Sequence, residues 1–265
     1  GLTPLPSGRP VRSLRIYQVL PKTKTHVANK PRLGYANAEC ARILLGAVPV
    51  EADGSAFFRA PARKPVYFQA VDASGRAVHT MRSVVYLQPG ERRSCVGCHE
   101  RPGSPPPDRQ PLASRRAPSA IVPGPDGSCP WSFQRLVQPV LDRRCVRCHD
   151  GTEGGRHSRL ALTGQPEGAF SKSYNNLQKQ VRWYEWGDKS IAQAVTVPGH
   201  MGADESPLLK VLEGDSHRGS VTLSDDERLR LCVWLDGNAA FYGTYSQAEQ
   251  SAQRDGQAVP PPRAQ

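Results

Sequence analysis

The sequence predicts a multidomain β + α protein, in which a small β-sandwich is followed by a mainly α-helical domain with long loops. Three observations support this class. Residues 1–94 contain short runs rich in β-branched and aromatic residues, separated by turn signals. Residues 102–130 contain nine prolines, which favour an extended segment without a core of its own. From residue 131 onward, apolar residues recur at helical spacing.

The β half is predicted from alternating or apolar runs of strand length. The runs are Leu14–Leu20, Arg42–Val50, Pro65–Val71 and Ser83–Leu87. Turn-forming pairs such as Asp53-Gly54 and Ser74-Gly75 lie between them. Several short strands at this spacing are typical of a sandwich, which we place at residues 1–94.

The helical half is predicted over residues 131–245. Five apolar residues share one helical face: Phe133, Leu136, Val137, Val140 and Leu141. Further helices are expected at Asn176–Trp186 and Ser206–Leu212. Another should begin at the capping box Ser224–Glu227 and end at Gly237. Residues 95–130 hold the first of the two motifs described below and a Pro-rich linker, which either joins two domains or wraps around the group bound at that motif. The polar residues 246–265 are expected to form a disordered tail.

Composition excludes some functions. The chain has 35 Lys and Arg against 24 Asp and Glu, a net charge of +11, with 11 basic and 3 acidic residues among the first 64. These basic residues are scattered and no recognition motif accompanies them, so nucleic-acid binding is not predicted. No apolar run is long enough for a transmembrane segment. The chain has no initiator Met and no signal peptide at its start, so we expect a fragment whose targeting sequence lies upstream.

Two short motifs carry the chemistry. Residues 95–99 and 145–149 both read Cys-x-x-Cys-His, the attachment sequence for c-type haem. In this chemistry the two thiols form thioether bonds with the haem, and the adjacent His binds the iron. The sequence therefore predicts two covalently attached haem c groups, one on Cys95 and Cys98 and one on Cys145 and Cys148. The proximal ligands are His99 and His149.

Two other interpretations of the motifs fit less well. A zinc ribbon places its Cys pairs roughly 15–20 residues apart, whereas Cys98 and Cys145 are 47 positions apart. A redox-active Cys pair does not need the His that follows. Because haem c is attached outside the cytoplasm, we expect a periplasmic or other extracytoplasmic location.

The order of features in residues 131–243 predicts a cytochrome c-like domain. A helix leads into the second motif, a long loop follows, and a last helix crosses the first. The distal ligand normally lies in the loop before that last helix, where His217 precedes Ser224 by seven positions. His149 and His217 are therefore the predicted ligands of the second iron, with Met201 and His200 as alternatives.

The distal ligand of the first haem is left open by the sequence. The remaining histidines are candidates, and spacing favours none of them: His26, His79, His157 and His200. His79 fits a strand position better than an iron ligand. An open sixth position is the other alternative, and haem catalysis requires one.

Three cysteines lie outside the motifs. Cys232 falls on the apolar face of the last predicted helix and is expected in the core. Cys40 and Cys129 are candidates for a disulfide in an oxidising compartment. The odd number of cysteines leaves at least one thiol free.

Several longer segments together resemble the hydrazine synthase alpha-subunit-like proteins, a planctomycete group. These segments are Gly34–Glu39, Val48–Arg59, Tyr86–Glu91, Ser94–Glu100, Val137–Asp142, Cys145–Gly151, Trp234–Asn238 and Phe241–Gly243. The resemblance implies a middle β domain and a C-terminal di-haem region, usually preceded by a β-propeller that is missing from this fragment. It also implies a bis-His second haem that relays electrons, and a catalytic first haem with a Tyr ligand shortly after its motif. Residues 100–130 contain no Tyr, so the chain departs from that pattern.

These inferences predict an extracytoplasmic di-haem module that transfers electrons between its two haems. Its partner would be a redox protein or a neighbouring haem domain. The alternative is an oxidoreductase whose open first haem acts on a small nitrogen or oxygen species. A third interpretation is a structural or carbohydrate-binding β domain that has lost its haems.

Overall fold

The protein is described by a computed structural model, and its main β element is a four-stranded antiparallel sheet. The described residues are 5–23, 28–37, 39–96, 108–153, 160–185 and 197–262. The strands are β1 Ser13–Val19, β2 Arg42–Pro49, β3 Val66–Val71 and β4 Ala77–Thr80, and they lie in the order β2-β1-β3-β4. A small hairpin is formed by β5 Pro166–Glu167 and β6 Phe170–Ser171.

The helices follow in the C-terminal half. They are α1 Phe133–Leu136, α2 Gln138–Arg144, α3 Lys172–Leu177, α4 Gly202–Glu205, α5 Pro207–Glu213, α6 Asp225–Asp236 and α7 Gln247–Arg254. Short 3₁₀ turns lie at Leu112–Arg115 and Gln178–Gln180. The mixed β + α class is thereby confirmed. Of the described helices, none is long and apolar enough to cross a lipid bilayer.

One face of the sheet packs on the helices. Tyr17 of β1 stacks on Tyr67 of β3 with ring centres 4.9 Å apart, and Tyr17 also lies 6.4 Å from the Trp131 ring. Trp131 is tied to β2 by a hydrogen bond from its backbone N–H to the Arg42 carbonyl (3.0 Å). The strands and helices therefore share one buried core, which includes Tyr17, Ile43, Tyr67, Phe133, Leu141, Tyr174, Leu231, Trp234 and Phe241.

The predicted sandwich is corrected by what covers the other face of the sheet. Ile16, Val48 and Val66 are buried there, and irregular segments cover them with partly buried residues such as Phe58 and Ile121. Within the described ranges no second sheet packs on this face. The sandwich was predicted because short alternating strands need a partner layer, but that layer is supplied here by helices on one side and loops on the other.

The Pro-rich segment runs along the edge strand β2. Ala47 and Val122 exchange two backbone hydrogen bonds of 2.8 and 3.0 Å, and Ile43 forms a bridge with Pro130. Residues 108–130 therefore cover the sheet edge instead of only linking two domains. The close approach requires Gly46, whose φ is +138° and where a Cβ atom would overlap the Val122 carbonyl.

We expect Gly46→Ala to destabilise the protein by about 2 kcal/mol, because it adds both backbone strain and a clash at the strand edge. Urea unfolding followed by tryptophan fluorescence measures this. Gly54→Ala is the matched control: its φ is also positive (+81°), but a Cβ atom there meets open space. Equal losses in the two variants would show that the contact with Val122 contributes nothing.

Three local predictions are corrected. The expected fourth strand at Ser83–Leu87 is reduced to a bridge between Val85 and Val66, while β4 forms earlier, at Ala77–Thr80. The helix expected at Asn176–Trp186 begins earlier, because Ser171 caps it, and it ends by residue 180.

The third correction concerns residues 246–265. Instead of a disordered tail, residues 247–254 form α7, which begins at the Ser246 cap. Gln253 is buried, and its side-chain amide donates hydrogen bonds to the carbonyls of Pro130 (3.1 Å) and Trp131 (2.7 Å). The tail is ordered because its polar side chains satisfy buried backbone groups, which its composition does not reveal.

Candidate haem-binding site

The second Cys-x-x-Cys-His motif continues directly from α2. Val140 and Leu141 bury one side of this helix in the core, and the Cys145 N–H donates to the Leu141 carbonyl (2.8 Å). The N–H groups of Cys148 and His149 both donate to the Cys145 carbonyl (3.0 Å each). The motif is therefore a tight turn anchored on a buried helix, with Cys145 half-buried and Cys148 exposed.

His217 approaches this turn from the loop between α5 and α6. The imidazole rings of His149 and His217 have centres 6.4 Å apart and planes inclined by only 16°. Both residues are half-buried. The two histidines that the sequence predicted as a ligand pair are thus brought together, although they are 68 positions apart in the chain.

The loop holds His217 by local hydrogen bonds. The His217 N–H donates to the Gly214 carbonyl (3.3 Å), and the His217 carbonyl accepts from Ser220 (3.0 Å) and Val221 (3.1 Å). The Ser216 hydroxyl lies 3.1 Å from Nδ1 of His217. A hydrogen bond at Nδ1 leaves Nε2 as the nitrogen available to a metal.

The ring separation fits a metal between the two imidazoles. A metal–nitrogen bond of about 2.0 Å, with the ring centre roughly 1.1 Å behind the nitrogen, gives about 6.2 Å between two ring centres. The observed value is 6.4 Å. The ring centres of ordinary aromatic pairs are also about 4.5–7 Å apart, so the distance alone does not indicate a metal site. The two thiols beside His149 are the second observation that points to one. The residues present fit a haem iron.

The alternative distal ligands lie in other environments. The His200 side chain is 68% exposed and has Nδ1 3.4 Å from the Glu205 carboxylate. Met201 is buried immediately before α4. His79 is buried within β4, opposite Ala70 of β3, as its strand-like sequence predicted.

Burial, together with the nearby carboxylates of Glu227 and Asp142, raises the pKa of the Cys145 thiol to about 11. A redox-active Cys pair has the opposite property, a lowered pKa that produces the thiolate near neutral pH. The local electrostatics therefore disfavour a thioredoxin-like role for this motif.

The first motif is described only in part. Cys95 is exposed, whereas Cys98 and His99 lie outside the described residues, as do His26 and His157. Across the described ranges, no group of three or more His, Cys, Asp or Glu residues is arranged to hold a metal ion by itself.

The candidate disulfide between Cys40 and Cys129 is not formed, since both thiols are free. Pairing of Ile43 with Pro130 places Cys129 opposite Leu44, four positions from Cys40. Four residues of extended chain span about 13 Å, while a disulfide needs Cα atoms within roughly 7 Å. Cys232 is buried in the core, as predicted.

One set of contacts near the site was not predicted. Arg143 and Arg144, at the end of α2, both approach the carboxylate of Glu227 in the first turn of α6. The sequence identified Glu227 only as part of a capping box. The signal that was available is the pair of arginines immediately before Cys145.

Known proteins resemble this chain in sequence and in fold. The family model for the hydrazine synthase alpha subunit middle domain matches residues 10–100. Hydrazine synthase subunit alpha from Kuenenia stuttgartiensis is 25% identical over 269 residues, covering 76% of this chain and 33% of the relative. The solved structure of Kuenenia stuttgartiensis hydrazine synthase matches with a TM-score of 0.56 at 20% identity, over 88% of this chain and 39% of that chain.

The chain therefore spans about a third of the length of this curated relative. The structural match concerns the fold, and the family model covers the region of the four-stranded sheet and its surroundings. Family model, sequence relative and structural match all point to the same protein. The chain is similar to the hydrazine synthase alpha subunit, and its residues 10–100 match the family model for the middle domain of that subunit.

Proposed function

We propose that this chain is an extracytoplasmic di-haem c-type cytochrome module that carries electrons. Its second haem would be bonded to Cys145 and Cys148, with His149 and His217 as the axial ligands. The observation that carries this proposal is the pair of near-parallel imidazoles whose centres lie 6.4 Å apart beside the two thiols.

The residues of this site have separable tasks. The two thiols would fix the group covalently, and the α2 anchor would hold His149 on one side of it. The hydrogen bond between Nδ1 of His217 and the Ser216 hydroxyl would orient the His217 ring, with Nδ1–H as the donor when Nε2 binds the iron. The bound haem supplies a one-electron couple, and two imidazole ligands favour a lower potential than a His/Met pair. Ligation on both sides would keep small molecules from the iron.

The helical half fits this role as a cytochrome c-like domain. In it, α2 leads directly into the motif, and the loop that carries His217 leads into α6. The first haem would be held by Cys95, Cys98 and His99 and would exchange electrons with the second. A redox protein or a neighbouring haem domain would donate electrons to this module or accept them from it.

A mass measurement tests the haem number. After co-expression with a c-type maturation system, we expect the chain to carry two covalent haems. The double substitution of Cys145 and Cys148 by Ser should remove one haem mass, and the same change at Cys95 and Cys98 should remove the other. Cys232→Ser is the control and should remove neither, because Cys232 lies in the core. Mature protein with only the polypeptide mass would refute the proposal.

A second function is favoured by the similarity to an enzyme, the hydrazine synthase subunit alpha. In that case the first haem would have an open position and act on a small nitrogen or oxygen species, while the second would supply electrons. Carbon monoxide separates the two proposals. A reduced protein that binds no carbon monoxide is a relay only, and binding at one haem of the two favours the oxidoreductase.

A further inference from the structure

Glu227 joins the two chain segments that carry His149 and His217. One segment is the end of α2, where Arg144 immediately precedes Cys145. The other is the loop after α5, which reaches α6 at Ser224, seven positions after His217. Glu227 lies in the first turn of α6, at the point where these two segments meet.

The contacts of Glu227 are divided between the segments. Its carboxylate accepts hydrogen bonds from Nε of Arg144 (3.0 Å to each oxygen) and from Nε of Arg143 (3.2 Å). The same carboxylate accepts the backbone N–H of Ser224 at 2.9 Å, which closes the capping box of α6.

Burial and charge make this contact more than a surface ion pair. The Glu227 side chain is only 4% exposed, although both arginine side chains extend to solvent. Burial alone would raise the pKa of Glu227, but the hydrogen bonds from Arg144 and Ser224 outweigh it and lower the pKa below its ordinary value. The carboxylate is thus ionised at neutral pH and engaged on both sides. Charge-assisted hydrogen bonds of this kind are stronger than neutral ones.

We propose that Glu227 is a positioning residue for the second haem: its contacts with Arg143 and Arg144 set the distance between the His149 turn and the His217 loop. This inference rests on the proposed bis-His ligation. The two arginines fix the end of α2 from which the motif emerges, while Ser224 fixes the end of the distal loop. Loosening the link at Glu227 would let His217 leave the iron more often.

The substitution Glu227→Gln removes the negative charge but keeps the cap of α6, because Gln also closes a capping box at this position. We expect α6 to remain capped and the haem to remain attached. Exchange of His217 for added cyanide in the ferric protein should become about three- to tenfold faster, as expected when charge-assisted hydrogen bonds are lost. The low-spin electron paramagnetic resonance signal should broaden as the two imidazole planes become less fixed.

Asp226→Asn is the matched control. Asp226 lies in the same helical turn and carries the same charge, but it pairs with Arg230 of α6 (2.6 Å) and is largely exposed. It should leave cyanide exchange unchanged. Arg144→Gln should reproduce the effect of Glu227→Gln, and the double variant should be no faster than the faster single variant, because both remove the same link.

The outcomes separate this inference from the proposed function. If Glu227→Gln retains both haems and exchanges cyanide at the wild-type rate, Glu227 does not position the ligands. If Glu227→Gln and Asp226→Asn accelerate cyanide exchange equally, the effect comes from the loss of a negative charge in this helical turn and not from the contacts of Glu227. If the wild-type protein lacks a low-spin haem at His149, the ligation itself is refuted. If Glu227→Gln does not fold, Arg144→Gln decides, since it changes a side chain that reaches solvent.

Discussion

Under the proposed bis-His ligation, replacing His217 by Ala should convert the second haem from low-spin to high-spin and open its iron to carbon monoxide. Two imidazole ligands keep the iron six-coordinate, and the pairing of His149 with His217 is the only such ring pair given by the described residues. Removing one imidazole leaves a vacant position that water or a small ligand fills. The change is large because it alters the spin state of one full haem equivalent, which visible and electron paramagnetic resonance spectra detect directly.

Two controls sharpen this experiment. His200→Ala tests the alternative ligand that lies exposed beside Glu205, and it should leave the spectrum unchanged. Adding imidazole to His217→Ala should restore the low-spin spectrum, because the free base can occupy the vacant position. A low-spin spectrum that survives in His217→Ala without added ligand would assign the distal position to another residue, such as Met201.

The proximity of His149 and His217 could be predicted from sequence because both residues are defined by local signals. The motif at residues 145–149 identifies His149 by itself, and the capping box at Ser224 marks the start of the last helix. His217 follows from its position just before that start. Pairing across 68 positions was therefore deduced from two short patterns and one general property of cytochrome loops.

The relation between sheet and helices was not predictable in this way. Arg15 and Gln69 occupy alternating positions in β1 and β3, a pattern that normally indicates a solvent-facing side. In the structure Arg15 pairs with Asp236, which is 221 positions away, and Gln69 donates to the Asp236 carbonyl (2.8 Å). A polar side chain buried by a distant partner has the same local pattern as an exposed one.

The same limit explains the C-terminal helix. Residues 246–265 are polar, and polarity favours disorder when no partner is known. Gln253 and Gln250 are nevertheless buried. Gln253 donates to the distant Trp131 carbonyl (2.7 Å), and Gln250 donates to the distant Arg32 carbonyl (3.4 Å) and to the nearby Thr244 carbonyl (2.9 Å). Composition reports how much apolar surface a segment can bury, but not which polar groups elsewhere need a partner.

Asp236, at the end of α6, is the residue that accepts hydrogen bonds from the buried polar groups of the sheet. One carboxylate oxygen accepts from Arg15 (2.8 Å) and from the Ala77 N–H (2.8 Å), and the other accepts from the Ala203 N–H (2.9 Å). The side chains of Arg15 and Asp236 are 4% and 0% exposed. Gly202 lies so close to this carboxylate that a Cβ atom would meet it, and its φ is +48°.

We expect Asp236→Asn to destabilise the protein by about 3–5 kcal/mol, since it leaves the buried Arg15 charge without its counterion. Urea unfolding of the haem-loaded protein measures this free energy. Asp226→Asn, which breaks an exposed pair with Arg230, should cost at most about 0.5 kcal/mol. The double variant Arg15→Met, Asp236→Asn should recover part of the loss, because the uncompensated charge is gone. If the double variant is as unstable as the sum of the two single variants, the two residues act independently, and the sheet is held to α6 by its apolar core instead of by this ion pair.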